Sequence, residues 1–170
     1  MAHSRLRVIR RLRTLRNLEW FNAPFLILAL STSWSDRSLS STWQRLIAYL
    51  LVAALLMVGG WFWHVKLAQV RDGRPIERHL RRLALIGRLA VAALALGSLA
   101  LTASWVWSVG TLADRAWASG FTVFAWAEWV NYFRVQIMHD TIRDLRRLLR
   151  TRRLRKSVLA VDLARQGRGP

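Results

Sequence analysis

Four apolar stretches, at roughly 18–34, 46–64, 83–109 and 116–133, constrain this chain more than any other feature. About 20 apolar residues carry a helix across a hydrocarbon core. The second and third stretches reach that length easily, whereas the first and fourth are shorter and contain Glu and Asn. In lipid each backbone N–H and C=O must be satisfied internally, so segments this rich in Ala and Leu are expected to be helices. The expected fold is therefore all-α, a polytopic membrane protein with four transmembrane helices. Pro24 is expected either to kink the first helix or to mark its start.

Charge is distributed to match. The 170 residues carry 27 Lys+Arg against 9 Asp+Glu, a net charge of +18 on a chain that is 54% hydrophobic. A soluble nucleic-acid-binding domain with that charge would carry few long apolar runs. Of the basic residues, 24 lie before the first stretch, between the second and third (Arg88 included), or after the fourth, and only Arg37, Arg45 and Arg115 lie in the other two connections. Cytoplasmic loops collect Lys and Arg, so this alternation places both termini in the cytoplasm. Tryptophan agrees independently. Trp20, Trp61, Trp63, Trp126 and Trp129 fall near the cytoplasmic ends, and Trp34, Trp43, Trp105, Trp107 and Trp117 near the outer ends, as two interfacial belts require. From Trp43 to Trp61 a helix rises about 27 Å, close to the thickness of a bilayer core. The arginine-rich start resembles a secretory signal with Ala29-Leu30-Ser31 as its cleavage site. Glu19 and Asn22 interrupt that run, so it is expected to be retained.

Three regions follow: a basic amphipathic N-terminal segment at 1–16, a four-helix transmembrane bundle at 17–138, and a basic cytoplasmic helical tail at 139–170. Asp72-Gly73-Arg74-Pro75 reads as a turn, with Pro75 placed to open the third helix. Beyond Arg134, the spacing of Ile137, Met138, Ile142, Leu145, Leu148 and Leu149 predicts that the fourth helix continues to about 150–155.

Ionisable groups inside a span are costly unless paired or wet, so they are the first candidates for function. Glu19, Asn22, His64, Arg88, Glu128 and Asn131 form an expected polar cluster at one level, in the inner leaflet. Glu19-Trp20-Phe21-Asn22 and Glu128-Trp129-Val130-Asn131 share the pattern Glu-Trp-x-Asn, whose i,i+3 spacing puts Glu and Asn on one helical face. Two uses are open to these groups. Glu128 and Glu19 can pair with Arg88 to hold the bundle in register, or they can form a protonatable carboxylate site of the kind an ion-coupled exporter needs. Small residues at Gly59-Gly60, Ala93 and Gly97 allow close helix approach, more as packing within the chain than as a dimer seam.

Enzyme chemistry finds little support. With no Cys, disulfides, thiolate metal sites and thiol relays are excluded. The sequence has no Gly-rich phosphate loop, no Gly-x-Ser-x-Gly and no His-Glu-x-x-His. His139, Asp140 and Asp144 are better used in ion pairs with Arg143, Arg146 and Arg147 than as metal ligands. No metal site, catalytic residue or cofactor is expected. The tail residues Arg146, Arg147, Arg150, Arg152, Arg153, Arg155 and Lys156 are the expected contacts for anionic headgroups or a partner protein, at about 1 kcal/mol per basic residue at a membrane surface. Without interleaved aromatics, nucleic acid is disfavoured. The expected role is a non-enzymatic subunit, scaffold or regulator in the cell membrane, as a homo-oligomer or with a membrane-complex partner. The alternative is a small oligomeric ion-coupled transporter or channel using Glu19 and Glu128.

Overall fold

The structure, a computed structural model, describes residues 2–32, 39–107, 110–138 and 142–166. It is all-α. Four long helices, α1 (Ala2–Thr32), α2 (Leu39–Asp72), α3 (Glu77–Val106) and α4 (Leu112–Phe133), are followed by two short ones, α5 (Ile142–Thr151) and α6 (Val158–Gln166). Two-residue strands, β1 (Val135–Gln136) and β2 (Arg155–Lys156), pair antiparallel on either side of α5.

Two helices, α2 and α3, are long and apolar enough to cross a membrane. Only 22% of the most apolar stretch of α3 is buried, whereas the core helix of a soluble protein is mostly buried. Leu85, Leu89, Leu96 and Leu99 form its exposed apolar surface, and Phe21 and Phe25 on α1 and Leu50 and Met57 on α2 are exposed as well. Among the described residues α1, with its many arginines, and α4, with Glu128 and Asn131 among its aromatics, do not reach the same length of apolar run.

α2 is the axis of the bundle, packed against α1 on one side and α4 on the other. Adjacent glycines make that arrangement possible. A Cβ on Gly60 would lie 2.2 Å from the Trp20 ring of α1, and one on Gly59 would lie 2.3 Å from the Tyr132 ring of α4. The close approach foreseen at these glycines thus accommodates two aromatic rings rather than a bare backbone. Gly97 of α3 receives Leu51 of α2, so this small residue serves packing within the chain. Trp126 donates from Nε1 to Ser98 Oγ (3.1 Å) and Trp129 to the Gly87 carbonyl (3.0 Å), fastening α4 to α3.

Residues 4–16 are the first half of α1, which runs without interruption through Pro24; the proline does not start the helix. Arg5 donates to the carbonyls of Val70 and Arg71, satisfying acceptors left over at the end of α2. Gly73, at φ +70°, takes the left-handed conformation that ends helices, and its N–H returns to the Gln69 carbonyl. α3 begins at Glu77, two residues after Pro75.

One expectation is corrected here. The fourth helix does not continue to about 150–155 but stops at Phe133. Asn131 Oδ1 accepts from the N–H groups of Ile137 (2.9 Å) and Met138 (3.1 Å), donors that a longer helix would have used internally. The carbonyls freed at the helix end are claimed by Ser157. Its hydroxyl donates to Tyr132 O, and its N–H to Arg134 O at 3.2 Å. The same Ser157 Oγ accepts from the Ala160 N–H at 3.0 Å and so caps α6. The C-terminal segment therefore folds back onto the bundle. Leu159 is buried among Phe62, Val65, Leu80, Leu83 and Tyr132. Asp162 meets Lys66 at 2.7 Å, and Gln166 donates to the Glu77 carbonyl.

Candidate functional site

Where α1, the C-terminal half of α2, the end of α4 and the returning C-terminal segment meet, they enclose a cleft of about 390 Å³. Its size falls in the range of small-molecule sites. Glu19, Asn22 and Asn131 line it, with Tyr132, Phe62 and Trp63, the apolar residues Leu12, Leu15 and Leu159, and the cations Arg11, Lys66 and Arg155.

The cleft gathers both Glu-Trp-x-Asn motifs. α1 and α4 flank α2, and the glycines that admit Trp20 and Tyr132 bring Glu19 and Asn131 to the same place. Glu128, 3% exposed, lies one turn before Asn131 on α4, beside the cleft lining. Asn131 lines the cleft, and its oxygen accepts from the chain after the helix. His64 stands nearby on α2, its ring 5.8 Å from that of Trp20 in a stacked arrangement.

Arg88 does not join them. It is exposed on α3 and, among the described residues, makes no hydrogen bond or ion pair. The expected pairing of Glu128 with Arg88 is therefore not formed. Helical phase explains this. Arg88 follows Gly87, whose face is turned to Phe133 and Trp129, so Arg88 is rotated away from α4.

The basic tail residues divide into two groups. Arg146 and Arg150 are exposed on α5, and Arg152 and Arg153 are exposed on the turn that follows, where Arg152 adopts a positive φ of 51°. Arg155 and Lys156 are exposed on β2, and Arg155 also reaches the cleft. Arg147 lies in α5. His139 and Asp140 lie outside the described residues, and among the described residues no group of three His, Cys, Asp or Glu is placed to hold a metal ion.

One polar pair escaped the sequence reading. Arg45, counted there as a loop cation, lies inside α2 and meets Asp114 of α4 at 2.6 Å, with side chains 3% and 2% exposed. Asp114 also closes a capping box with Thr111, receiving the Thr111 N–H (2.9 Å) and hydroxyl (2.6 Å) while its own N–H donates to Thr111 Oγ1. The Thr111-x-x-Asp114 spacing was the available signal. Burial acts to raise the Asp114 carboxyl, but the Thr111 and Arg45 hydrogen bonds outweigh it and hold the group below the ordinary Asp range.

No family model, curated protein or solved structure matches this chain.

Proposed function

We propose that the chain is a four-span integral protein of the cell membrane with both termini in the cytoplasm. In this reading it is a non-enzymatic subunit, scaffold or regulator that engages anionic lipid through its basic cytoplasmic helices. The alternation of basic segments supports the orientation, and the exposed apolar surfaces of α1, α2 and α3 support contact with lipid on several sides. The carrying observation is α5. In its sequence, leucines and an isoleucine follow a helical period opposite arginines, and among its described side chains Leu149 is 72% exposed, beside the exposed Arg146 and Arg150. A basic amphipathic helix that exposes a leucine beside its arginines is suited to lie in the headgroup plane of an anionic leaflet.

The chain has no Cys, so one label at Leu149→Cys reports on α5 alone. In nanodiscs containing phosphatidylglycerol, an environment-sensitive dye there is expected to shift to the blue. Phosphatidylcholine discs, or the triple change Arg146→Glu, Arg150→Glu and Arg153→Glu, are expected to remove that shift. Equal spectra in both lipids would refute lipid engagement. Topology has its own test. Reporter fusions at Ser38 and Thr111 are expected to give an outer signal and one at Gly73 a cytoplasmic signal, and the opposite pattern would overturn the orientation.

A second reading, a small oligomeric ion-coupled transporter, draws on Glu19 in the cleft lining and on the buried Glu128 of α4. Loss of proton-coupled flux in proteoliposomes on Glu128→Gln, with folded yield unchanged, would favour it over the scaffold.

A further inference from the structure

The lining of the cleft is positive on balance. Arg11 of α1, Lys66 of α2 and Arg155 of β2 contribute to it, against the carboxylate of Glu19. Lys66 also meets Asp162 at 2.7 Å, and with that second carboxylate counted the cations are still in excess. An ammonium carries three N–H donors and a guanidinium five. Lys66 beside Asp162, and Arg11 beside its other contact within the chain, can therefore meet a ligand as well. Arg155 is exposed on β2.

The cations gather toward one end. Two contacts fix the register of α1 on α2: Arg5 donates to the Val70 and Arg71 carbonyls, and the Trp20 ring lies over Gly60. Between these anchors Arg11 stands about 9 Å along α1 from Arg5, and Lys66 about 6 Å along α2 from Val70, so both lie nearer the Arg5 end. Arg155 reaches the cleft from β2, which pairs with the segment just past the end of α4. Glu19 is about 12 Å from Arg11 along α1, beside Trp20 at the other end. Leu12, Leu15, Phe62, Trp63 and Leu159 wall the space between, and Phe62 and Leu159 are each only 1% exposed. A free phosphate would leave these walls uncovered, and a neutral amphiphile would leave the cations unmatched. A phosphate joined to a hydrocarbon chain satisfies both, because guanidinium and ammonium groups give phosphate oxygens charge-assisted hydrogen bonds. With the basic segments in the cytoplasm, the cationic end also faces the headgroup level and the apolar walls face the membrane interior.

We propose that this cleft holds one anionic phospholipid of the cytoplasmic leaflet, its phosphate between Arg11, Lys66 and Arg155 and one acyl chain against Leu12, Leu15, Phe62 and Trp63. The proposal rests on the membrane reading above and deepens it. There α5 meets the leaflet surface, whereas here a single lipid is seated inside the bundle, and Glu19 has no part in holding it.

The test titrates the full chain in neutral detergent with phosphatidylglycerol and counts bound lipids by native mass spectrometry. One saturable lipid per chain is expected, and phosphatidylcholine is expected to bind more weakly. Glycerol phosphate, which has the headgroup charge without the chains, is expected not to compete even in large excess. Arg11→Gln together with Arg155→Gln is expected to weaken the site by about tenfold or more, the scale of lost hydrogen bonds to a charged group. Leu15→Trp is expected to fill the cleft and displace the lipid. Glu19→Gln is expected to bind at least as tightly as the native chain, and weaker binding would overturn an anionic occupant. Charge reversal at Arg146, Arg150 and Arg153 is expected to keep the single lipid, so a failure of α5 to engage the leaflet stays distinct from a failure of this site. The proposal is overturned if no saturable lipid is found, or if the folded double variant Arg11→Gln with Arg155→Gln binds like the native chain. Phosphatidylcholine binding as tightly, or displacement by glycerol phosphate, would overturn it too.

Discussion

Asp114→Ala is expected to destabilise the bundle by about 3–5 kcal/mol, the usual cost of taking one partner from a buried ion pair. The pair joins α2 to α4 near their N-terminal ends, with Arg45 Nε donating to Asp114 Oδ1 at 2.6 Å. The substitution removes the counter-charge from a guanidinium that stays buried, and it opens the capping box at the start of α4, a loss of about 1 kcal/mol in other helices. The decisive control is the double variant Arg45→Met with Asp114→Ala. Replacing both charges with apolar groups is often close to neutral, so this chain is expected to be more stable than Asp114→Ala alone. Unfolding in mixed micelles measures all three chains. A double variant no more stable than the single one would mean that the cap, and not the ion pair, carries the effect. Acid should mimic the mutation. Because the folded-state Asp114 lies below its unfolded value, near 3.9 or roughly so, its contribution is complete above that pH and is lost as the pH falls through the lower, folded value.

How much of this arrangement could be read from the sequence depends on the range over which each feature is determined. α2 and α3 were legible because continuous apolar composition is a local property and lipid leaves a helix as its one economical form. The break at Gly73 was legible for a similar reason, since a residue at φ +70° is cheapest as Gly. The Glu-Trp-x-Asn repeats flagged Glu19, Asn22, Glu128 and Asn131, and Glu19, Asn22 and Asn131 share one cleft. The failure of Arg88 to meet Glu128 was not legible. Arg88 stood at a suitable depth, but depth fixes only one coordinate. The rotation of α3 is set by the fit of Gly87 against Phe133, a contact between residues far apart in sequence. The end of α4 failed for a related reason. The apolar period carries past Arg134 on sequence alone, while what stops the helix is Asn131 turning back on the chain and Ser157, 25 residues beyond Tyr132, capping its carbonyl.

That return of the chain carries the second large prediction. Leu159→Ala is expected to cost about 2–5 kcal/mol, the range for a leucine removed from a packed core. A loose basic tail would give a value near zero. Leu159 is 1% exposed, and its neighbours come from α2, α3 and α4, so the methyl groups lost face three helices at once. Leu154, exposed on the turn just before β2, is the matched control, and Leu154→Ala is expected to stay within about 0.5 kcal/mol of the native chain. Limited proteolysis gives a second readout, because docking of α6 governs access to Arg165 in its last turn. Trypsin should cut after Arg165 faster in Leu159→Ala than in the native chain, whereas cutting after the exposed Arg152 and Arg153 should change less. The same docking explains why charge reversal on α5, and not removal of residues 151–170, is the proper test of lipid engagement. Truncation would take away Ser157 and Leu159, release the end of α4, and remove one wall of the cleft that holds Glu19. Loss of function in a truncated chain would then report on the bundle. A chain whose Leu159→Ala variant unfolds at the native midpoint would reverse that conclusion and return residues 151–170 to the status of a tail.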